Sequence, residues 1–411
     1  MTTPDVRDRY AIVGVGITPT ARTNAPGIFN MTLEAWAARL ALEDAGLKRQ
    51  DIDGAVHGWS ANPHPVALWK DAYTRELGLK PGFYMSIQRG GQVAHNGILL
   101  AMRALATGQA TCVILACGVS GVSGWPGPTG KQSAEDRITG LPRRFTQDLG
   151  AGCTGLDAAA SYSVSQAFYA SRHMHDYGTT HEHLGAVALA ARAWAQKNPE
   201  ARYYGQPATM EDYLNSPWGA FPLRDMDSPV YSDLGCSLIV TTADRARTFR
   251  KKPVYIKGIG IGDQSHDQWW NKSSFSQTAG AHAKSRAFEQ AGVDLSDIDV
   301  AELYDSSTIE MIFYMEDYGW CKKGEGGPLV ASGAIAPGGA IPTNTHGGLL
   351  AGMFDFDLPA VIEAVIQLRG EAGERQVNGA EIALTNGNGG EMLGPGMSSS
   401  HATMVLGNVL S

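Results

Sequence analysis

The sequence predicts a layered α/β protein built from two similar halves, the first of them interrupted by a long insertion. Three observations predict it. Residues 41–55 (ALEDAGLKRQDIDGA) and 287–301 (AFEQAGVDLSDIDVA) align without a gap and agree at eight of fifteen positions. The match extends both ways in the same order. Tyr10-Ala-Ile-Val-Gly-Val-Gly16 pairs with Val254-Tyr-Ile-Lys-Gly-Ile-Gly260, and Arg89-Gly-Gly91 pairs with His346-Gly-Gly348. Short apolar runs also alternate with Ala-rich helical stretches, the pattern of strands covered on both faces by helices. A repeat this long is not a solenoid.

The elements follow in order. Each half opens on a strand ending in Gly-x-Gly, then a helix closed by a glycine (Gly46, Gly292), an Asp-containing turn and a second strand. A Gly-Gly pair precedes an Ala-rich helical stretch, and an apolar strand follows: Thr111–Gly118 in the first half, Ala380–Gly387 in the second. Residues 119–225 have no counterpart. They begin as a Gly/Pro/Ser loop (Gly118 to Pro128) and continue as helical stretches over Ala158–His175 and His181–Asn198. This reads as an inserted loop domain over the site. Pro229–Thr242 returns to a buried strand. The expected division is residues 1–118 plus 226–247, the insertion 119–225, and residues 253–411.

Composition narrows the function. Charged residues are 18% of the chain, against a usual ~25%. The net charge of −8 offers no basic surplus for a nucleic-acid partner. Fifty glycines suggest tight turns and close backbone approaches. The N-terminus shows no secretory signal and no apolar run reaches about 18 residues, so the expectation is a cytoplasmic protein without a membrane span. Five scattered cysteines without a CxxC argue against a zinc ribbon in this chain, and buried thiols are the simplest reading.

Several motifs are excluded. Gly14-x-Gly16 lacks the third glycine and a following helix, so it is no dinucleotide fingerprint; there is no P-loop and no Gly-x-Ser-x-Gly elbow. His173-x-His175 and His181-x-His183 lie in helical patterns, where i and i+2 diverge, and read as surface histidines rather than metal ligands. The site is expected where the halves meet. Ser86–Gln92, Glu302-Leu-Tyr-Asp-Ser-Ser-Thr308 and Pro342-Thr-Asn-Thr-His-Gly-Gly348 converge there, followed by a terminal loop Asn386–Gly390. Glycine N–H groups and the helix N-terminus after Gly91 would form an oxyanion hole. On the residues alone, Tyr304 also fits a core tyrosine, His346 a turn histidine, and the glycines plain turns.

Together these pieces resemble the thiolase superfamily, and within it the sterol-carrier-protein-x thiolases and lipid-transfer-protein-like members of steroid side-chain breakdown. The resemblance covers nearly the whole chain. It rests on Tyr177-Gly, Asn198-Pro-Glu-Ala201, Ser232-Asp-Leu-Gly235, Glu302-Leu-Tyr-Asp305, Gly319-Trp-Cys-Lys-Lys-Gly-Glu-Gly-Gly327 and Pro342–Gly348. It implies the five-layer αβαβα thiolase fold and a homodimer. It also implies departures. The nucleophilic Cys of thiolases falls at Gln88, the His of their Gly-His-Pro at Phe354, and their second Cys near Thr385. An amide cannot form a thioester, so a covalent acyl-enzyme at Gln88 is excluded.

The steroid side-chain aldolases of this superfamily share the Tyr-Asp and Asn-Thr-His-Gly-Gly motifs. They cleave a β-hydroxyacyl-CoA by retro-aldol chemistry, which needs a base, an oxyanion hole and an acid but no nucleophile. Their second tyrosine is Phe354 here. By this resemblance Tyr304, Asp305 and His346 are the expected catalytic residues, with Tyr304 as base or acid once its pKa is lowered. Substrate contacts are expected from His57, Gln88, Arg89, Gly90, Thr385, Gly389 and Gly390. No metal or cofactor is expected beyond CoA carried by the substrate. A separate zinc-ribbon/OB-fold protein is the implied partner. The competing functions are a thiolase-fold acyltransferase and a catalytically silent acyl-CoA-binding subunit.

Overall fold

The computed structural model describes residues 6–19, 30–58, 69–87, 90–120, 162–263, 276–389 and 400–410. The strands are β1 (Tyr10–Ile17), β2 (Gly54–Gly58), β3 (Phe83–Ile87), β4 (Cys112–Ser120), a hairpin of β5 (Trp218–Ala220) and β6 (Leu223–Arg224), β7 (Asp233–Thr242), β8 (Val254–Asp263), β9 (Val300–Glu302), β10 (Ile382–Gly389) and β11 (Ser400–Gly407). The principal helices are α1 (Asn30–Ala45), α2 (Trp69–Leu77), α3 (Val93–Ala106), α4 (Tyr162–Tyr177), α5 (His181–Ala195), α6 (Gly280–Ala291), α7 (Thr308–Asp317) and α8 (Leu358–Arg369).

Strand order carries the repeat into three dimensions. The main sheet runs β3-β2-β4-β7-β1-β8-β11-β10-β9. From its middle outwards each half reads antiparallel, antiparallel, parallel: β1–β7–β4–β2 on one side and β8–β11–β10–β9 on the other. The halves join where β1 meets β8 antiparallel, Ala11 opposite Tyr255 and Ile12 opposite Val254. Ala11 and Tyr255 are themselves matched positions of the repeat, so a local pseudo-twofold axis passes between them.

Three apolar cores hold the layers together, the central one spanning both sides of the inner helices. α1 and α2 cover the first half from outside, with Ala41, Tyr73, Ile114 and Ile239 between them and the sheet. α3 and α8 form the inner helical layer, packing Ile98, Val361 and Val365 with Leu115, Leu238 and Met404. α4 to α7 cover the second half through Leu184, Phe288, Ile312 and Leu384. The Gly-x-Gly motifs prove to be packing devices inside the strands rather than strand ends. A Cβ at Gly14 or Gly16 would strike the carbonyls of Ala41 and Ala37 in α1; one at Gly258 or Gly260 would strike those of Ala287 and Ala283 in α6. Helix and strand backbones touch directly, which no larger residue permits.

Three local expectations are corrected. Asn386–Gly389 is not a loop but the end of β10, paired with β11 as far as Gly389↔Ser400, because alternate glycines let another backbone lie against it. His173 is not a surface residue. It is fully buried, its Nδ1 2.7 Å from Thr179 Oγ1 and its Nε2 3.1 Å from Glu316 Oε2, so α4 is tied to α7 by a histidine. The second histidine stretch ends at Ala195, three residues short of Asn198. Of the cysteines, Cys112, Cys117 and Cys236 are buried and Cys321 partly so; Cys153 lies outside the described residues. No helix among the described residues is long and apolar enough to cross a membrane.

Candidate active site

The segment leaving β9 is held by two asparagines. Leu303 N–H donates to Asn344 Oδ1 at 2.6 Å and Tyr304 N–H to Asn386 Oδ1 at 2.7 Å. Asn344 reaches that bond from a left-handed backbone (φ 54°), which Asn tolerates better than most residues. The segment therefore passes between the Pro342–Gly348 loop and β10, as the motifs suggested.

Glu302, just before Tyr304, organises a buried polar cluster. Its Oε1 accepts from Thr345 N–H (3.1 Å) and lies 2.6 Å from Thr345 Oγ1, and its Oε2 lies 2.9 Å from His346 Nδ1. Thr345 Oγ1 also lies 2.8 Å from Glu363 Oε1, and Arg375 grips Glu363 at 2.7 and 3.0 Å. Burial pushes Glu302 up despite the pull of His346. Burial also works to raise Glu363, but Arg375 outweighs it and holds that carboxyl below its usual range. Burial works to lower His346; the bond and charge of Glu302 overcome it, and the imidazole is raised. Its Nε2 is buried with no hydrogen-bond partner among the described residues.

Asp305 faces the turn behind His346. It accepts the N–H groups of Leu349 (2.7 Å) and Leu350 (3.4 Å), which open a π turn over Gly348–Gly352. Burial pushes its carboxyl up to about 7 in spite of those bonds. This geometry makes Asp305 the clamp of the His346 loop.

The Tyr304 ring lies over Gly91, where a Cβ would strike both the ring and the carbonyl of Asn388. Its phenol is driven well above its usual range by burial first, then by the charges of Glu310 and Asp357. That is the opposite of the lowering expected for Tyr304, so the phenol keeps its proton. Glu310 is itself gathered in by Ser306 Oγ (2.5 Å), Asn388 Nδ2 (2.9 Å) and Gln166 Nε2 (3.1 Å). No hydrogen bond joins Tyr304 to His346 among the described residues.

The start of α3 holds the second correction. Two of its first-turn amides, those of Ala94 and His95, are not free for an oxyanion. Asp357, from the loop before α8, accepts Ala94 N–H (2.8 Å) and His95 N–H (3.2 Å), and its Oδ2 lies 2.6 Å from His95 Nδ1. A carboxylate thus caps this helix from the other half of the chain and cancels its positive end. His95 Nε2 in turn lies 2.9 Å from Thr385 Oγ1 on β10. All three side chains are fully buried.

Other expected contacts are placed as follows. Gly90 lies in the turn before α3 with φ 54°, beyond the reach of most side chains. Gly389 ends β10, its carbonyl 3.5 Å from Gln92 Nε2. His57 is buried in the first half, stacked on Tyr73 at 4.2 Å between centroids, 3.3 Å from Glu34 and 3.4 Å from the Tyr84 hydroxyl. Its polar atoms are engaged with protein, which removes it from the substrate contacts. Gln88, Arg89 and Gly390 lie outside the described residues. His95, Asp357, Glu310 and Glu363 were missed. The available signal was polar singletons in apolar stretches, such as His95 within Val-Ala-His-Asn-Gly-Ile-Leu-Leu.

Residues 262–408 match the family model described as thiolase C-terminal domain-like. The chain is 32% identical to the 17-hydroxy-3-oxo-4-pregnene-20-carboxyl-CoA lyase of Mycobacterium tuberculosis, over 92% of this chain and 96% of that one. It is 31% identical to the steroid side-chain-cleaving aldolase of Thermomonospora curvata, over 92% and 95%. It is also 31% identical to an acetyl-CoA acetyltransferase of Methanothermobacter thermautotrophicus, over 92% and 96%. Among solved structures, an Ltp2-ChsH2(DUF35) aldolase superposes with a TM-score of 0.82 at 28% identity, covering 98% of both chains. With its two matched halves, its five layers and these relatives, the chain belongs to the thiolase superfamily, in the branch of the sterol-carrier-protein-x thiolase-like proteins.

Proposed function

We propose that this protein is a carbon–carbon lyase that cleaves a bulky β-hydroxyacyl-CoA by retro-aldol chemistry, without a covalent acyl-enzyme. One observation carries the reading. The helix start that would activate a nucleophile is neutralised by Asp357, while Tyr304 and His346 are kept as a proton donor and a carboxylate-backed imidazole. Acyl transfer needs the first feature; a retro-aldol reaction needs only the second. The lyase and aldolase names of two relatives support it.

In this reading His346 Nε2, backed by Glu302, takes the proton of the β-hydroxyl. The Cα–Cβ bond breaks, its electrons pass into the thioester enolate, and a ketone or aldehyde leaves. Tyr304 donates a hydrogen bond to the enolate oxygen, the task the capped helix cannot perform. Asp305 fixes the loop that carries His346. Phe354 stands where related aldolases have a second tyrosine, and its backbone is bonded in both directions to Ser232 Oγ at 3.0 Å, so that position shapes the pocket without moving a proton.

The same proposal includes a cytoplasmic homodimer that needs no cofactor beyond the CoA of its substrate and has residues 119–225 as a cover over the site. It includes a separate zinc-ribbon/OB-fold partner, which the two-component name of the Ltp2-ChsH2(DUF35) aldolase supports.

The test is incubation with a panel of tertiary β-hydroxyacyl-CoAs, with and without a small zinc-ribbon/OB-fold protein, read by mass spectrometry. A carbonyl product plus a shorter acyl-CoA is expected, with kcat falling about 100-fold or more in Tyr304→Phe. Binding of CoA esters without cleavage in either preparation would replace the proposal with a silent binding subunit.

A further inference from the structure

The motif Asn198-Pro-Glu-Ala201, which carried part of the resemblance, has no task in the retro-aldol reading. We infer that Asn198 is a positioning residue for that reaction: its side-chain amide fixes the peptide between His346 and Gly347, and through it the direction in which the imidazole presents Nε2. The inference rests on the lyase reading and adds to it a residue that does not touch the substrate.

The junction after His346 needs an outside hold. Gly347 has φ 101°, a conformation open to glycine and closed to most other residues. With no Cβ to restrict it, this junction is free to shift, and the base of the imidazole shifts with it. The turn itself supplies no brake. The N–H groups of Ala351 and Gly352 both go to the Gly347 carbonyl, and that of Met353 goes to the Gly348 carbonyl. No backbone N–H among the described residues reaches the His346 carbonyl. Asn198 Nδ2 does, donating to it at 2.9 Å.

Asn198 is itself set by its surroundings. α5 ends at Ala195, and Asn198 N–H returns to the Ala195 carbonyl at 3.2 Å. The Asn198 carbonyl accepts Ala201 N–H at 2.9 Å. Its side-chain Oδ1 accepts Glu200 N–H at 3.2 Å, which leaves the amide one orientation, with Nδ2 towards His346. The side chain is buried, so water does not compete for these bonds.

The chain then runs on along the same turn. Arg202 N–H donates to the Gly352 carbonyl (2.6 Å) and Tyr203 N–H to that of Ala351 (3.2 Å), while Val230 N–H takes that of Leu349 (2.8 Å). Residues 198–203 therefore strap down the turn that follows His346. At the other end of the residue, Glu302 Oε2 holds the ring by Nδ1 at 2.9 Å. With the carbonyl and Nδ1 both fixed, the direction of Nε2 is fixed as well, and Nε2 is the atom that the lyase reading assigns to the β-hydroxyl.

The test is Asn198→Asp, assayed for cleavage of tertiary β-hydroxyacyl-CoAs between pH 5 and pH 9 beside Asn198→Ala and the wild type. A carboxylate has no proton for the His346 carbonyl, whereas a carboxylic acid has one. The kcat of Asn198→Asp relative to the wild type is therefore expected to be close to unity at pH 5. It is expected to fall about 100-fold by pH 9 as the buried carboxyl loses its proton, with KM unchanged. Asn198→Ala is expected to be about 100-fold down at every pH. A ratio for Asn198→Asp that does not move with pH overturns the positioning role, as does Asn198→Ala with the kcat of the wild type. A second readout needs no turnover: the Cε1 NMR signal of His346, assigned by its loss in His346→Gln. In Asn198→Ala its titration midpoint is expected to fall, because the bond to Glu302 that raises it loosens; an unchanged midpoint overturns the inference. A wild type that cleaves none of the panel, beside an Asn198→Ala variant that shows this fall, keeps Asn198 as the anchor of His346 and ends the lyase reading.

Discussion

The outer and inner layers of this molecule have kept the repeat to very different degrees. Outside, α1 on β1 and α6 on β8 are near copies: each helix lies with its backbone on two glycines of the strand beneath, through matched alanines. Inside, the copies have parted. α3 starts under a carboxylate supplied by the other half, whereas α8 is preceded by a π turn clamped by Asp305, and the carboxylate at its own N-cap position is given away to α3. Direct backbone contact tolerates only glycine, so drift there is penalised in both copies alike. The inner layer carries the candidate site, where only one constellation of groups is needed, so the two copies were free to divide the work.

The contrast can be broken at its strongest point first. Gly16→Val and Gly260→Val put a branched side chain into a helix carbonyl, and each is expected to cost roughly 3 kcal/mol or more, read as the shift of urea midpoints. Equal losses support equivalent outer layers; a loss in one half alone would show that only one is needed for the fold. Asp357→Asn tests the inner layer. An amide cannot accept from two N–H groups and a ring at once, so about 2 kcal/mol of stability should go, while a matched change at Asp305 should alter kcat with a smaller effect on the midpoint. The subtlest test is Asp355, buried between Cys117 and Cys236, with neither carboxyl oxygen bonded to nitrogen or oxygen among the described residues. Burial pushes it up to about 8, with the thiols pulling the other way. The folded state then holds a proton that the unfolded chain has released, so stability falls as pH rises from about 4 to about 8. Asp355→Asn should flatten that slope, gaining on the order of 1 kcal/mol at pH 8, measured by urea melts at pH 5, 7 and 8.

What could be read in advance follows the same division. The repeat was legible because glycines and alanines at contact points cannot change without loss, and so kept their identities at Gly14, Gly16, Gly258 and Gly260. Tyr304 and His346 were legible because they stand inside dense motifs. The Asp357–His95–Thr385 chain was not, since its members are 262 and 290 residues apart and each looks like an isolated polar residue in an apolar run. The direction of the Tyr304 shift was equally hidden: it depends on Glu310 and Asp357, which only the fold brings near.

The cap on α3 has a bearing on how the chain comes into being. Two amides in the first turn of that helix wait for an acceptor 262 and 263 residues further on. A ribosome adding about 5–20 residues per second takes roughly 13–50 s to make that stretch. Until then the inner helix has an unsealed end, and the first half carries an exposed apolar face meant for its twin. The nascent half is therefore a client for whatever shields such surfaces during synthesis, and severing the chain between β7 and β8 should yield two pieces that each become soluble only in the other's company.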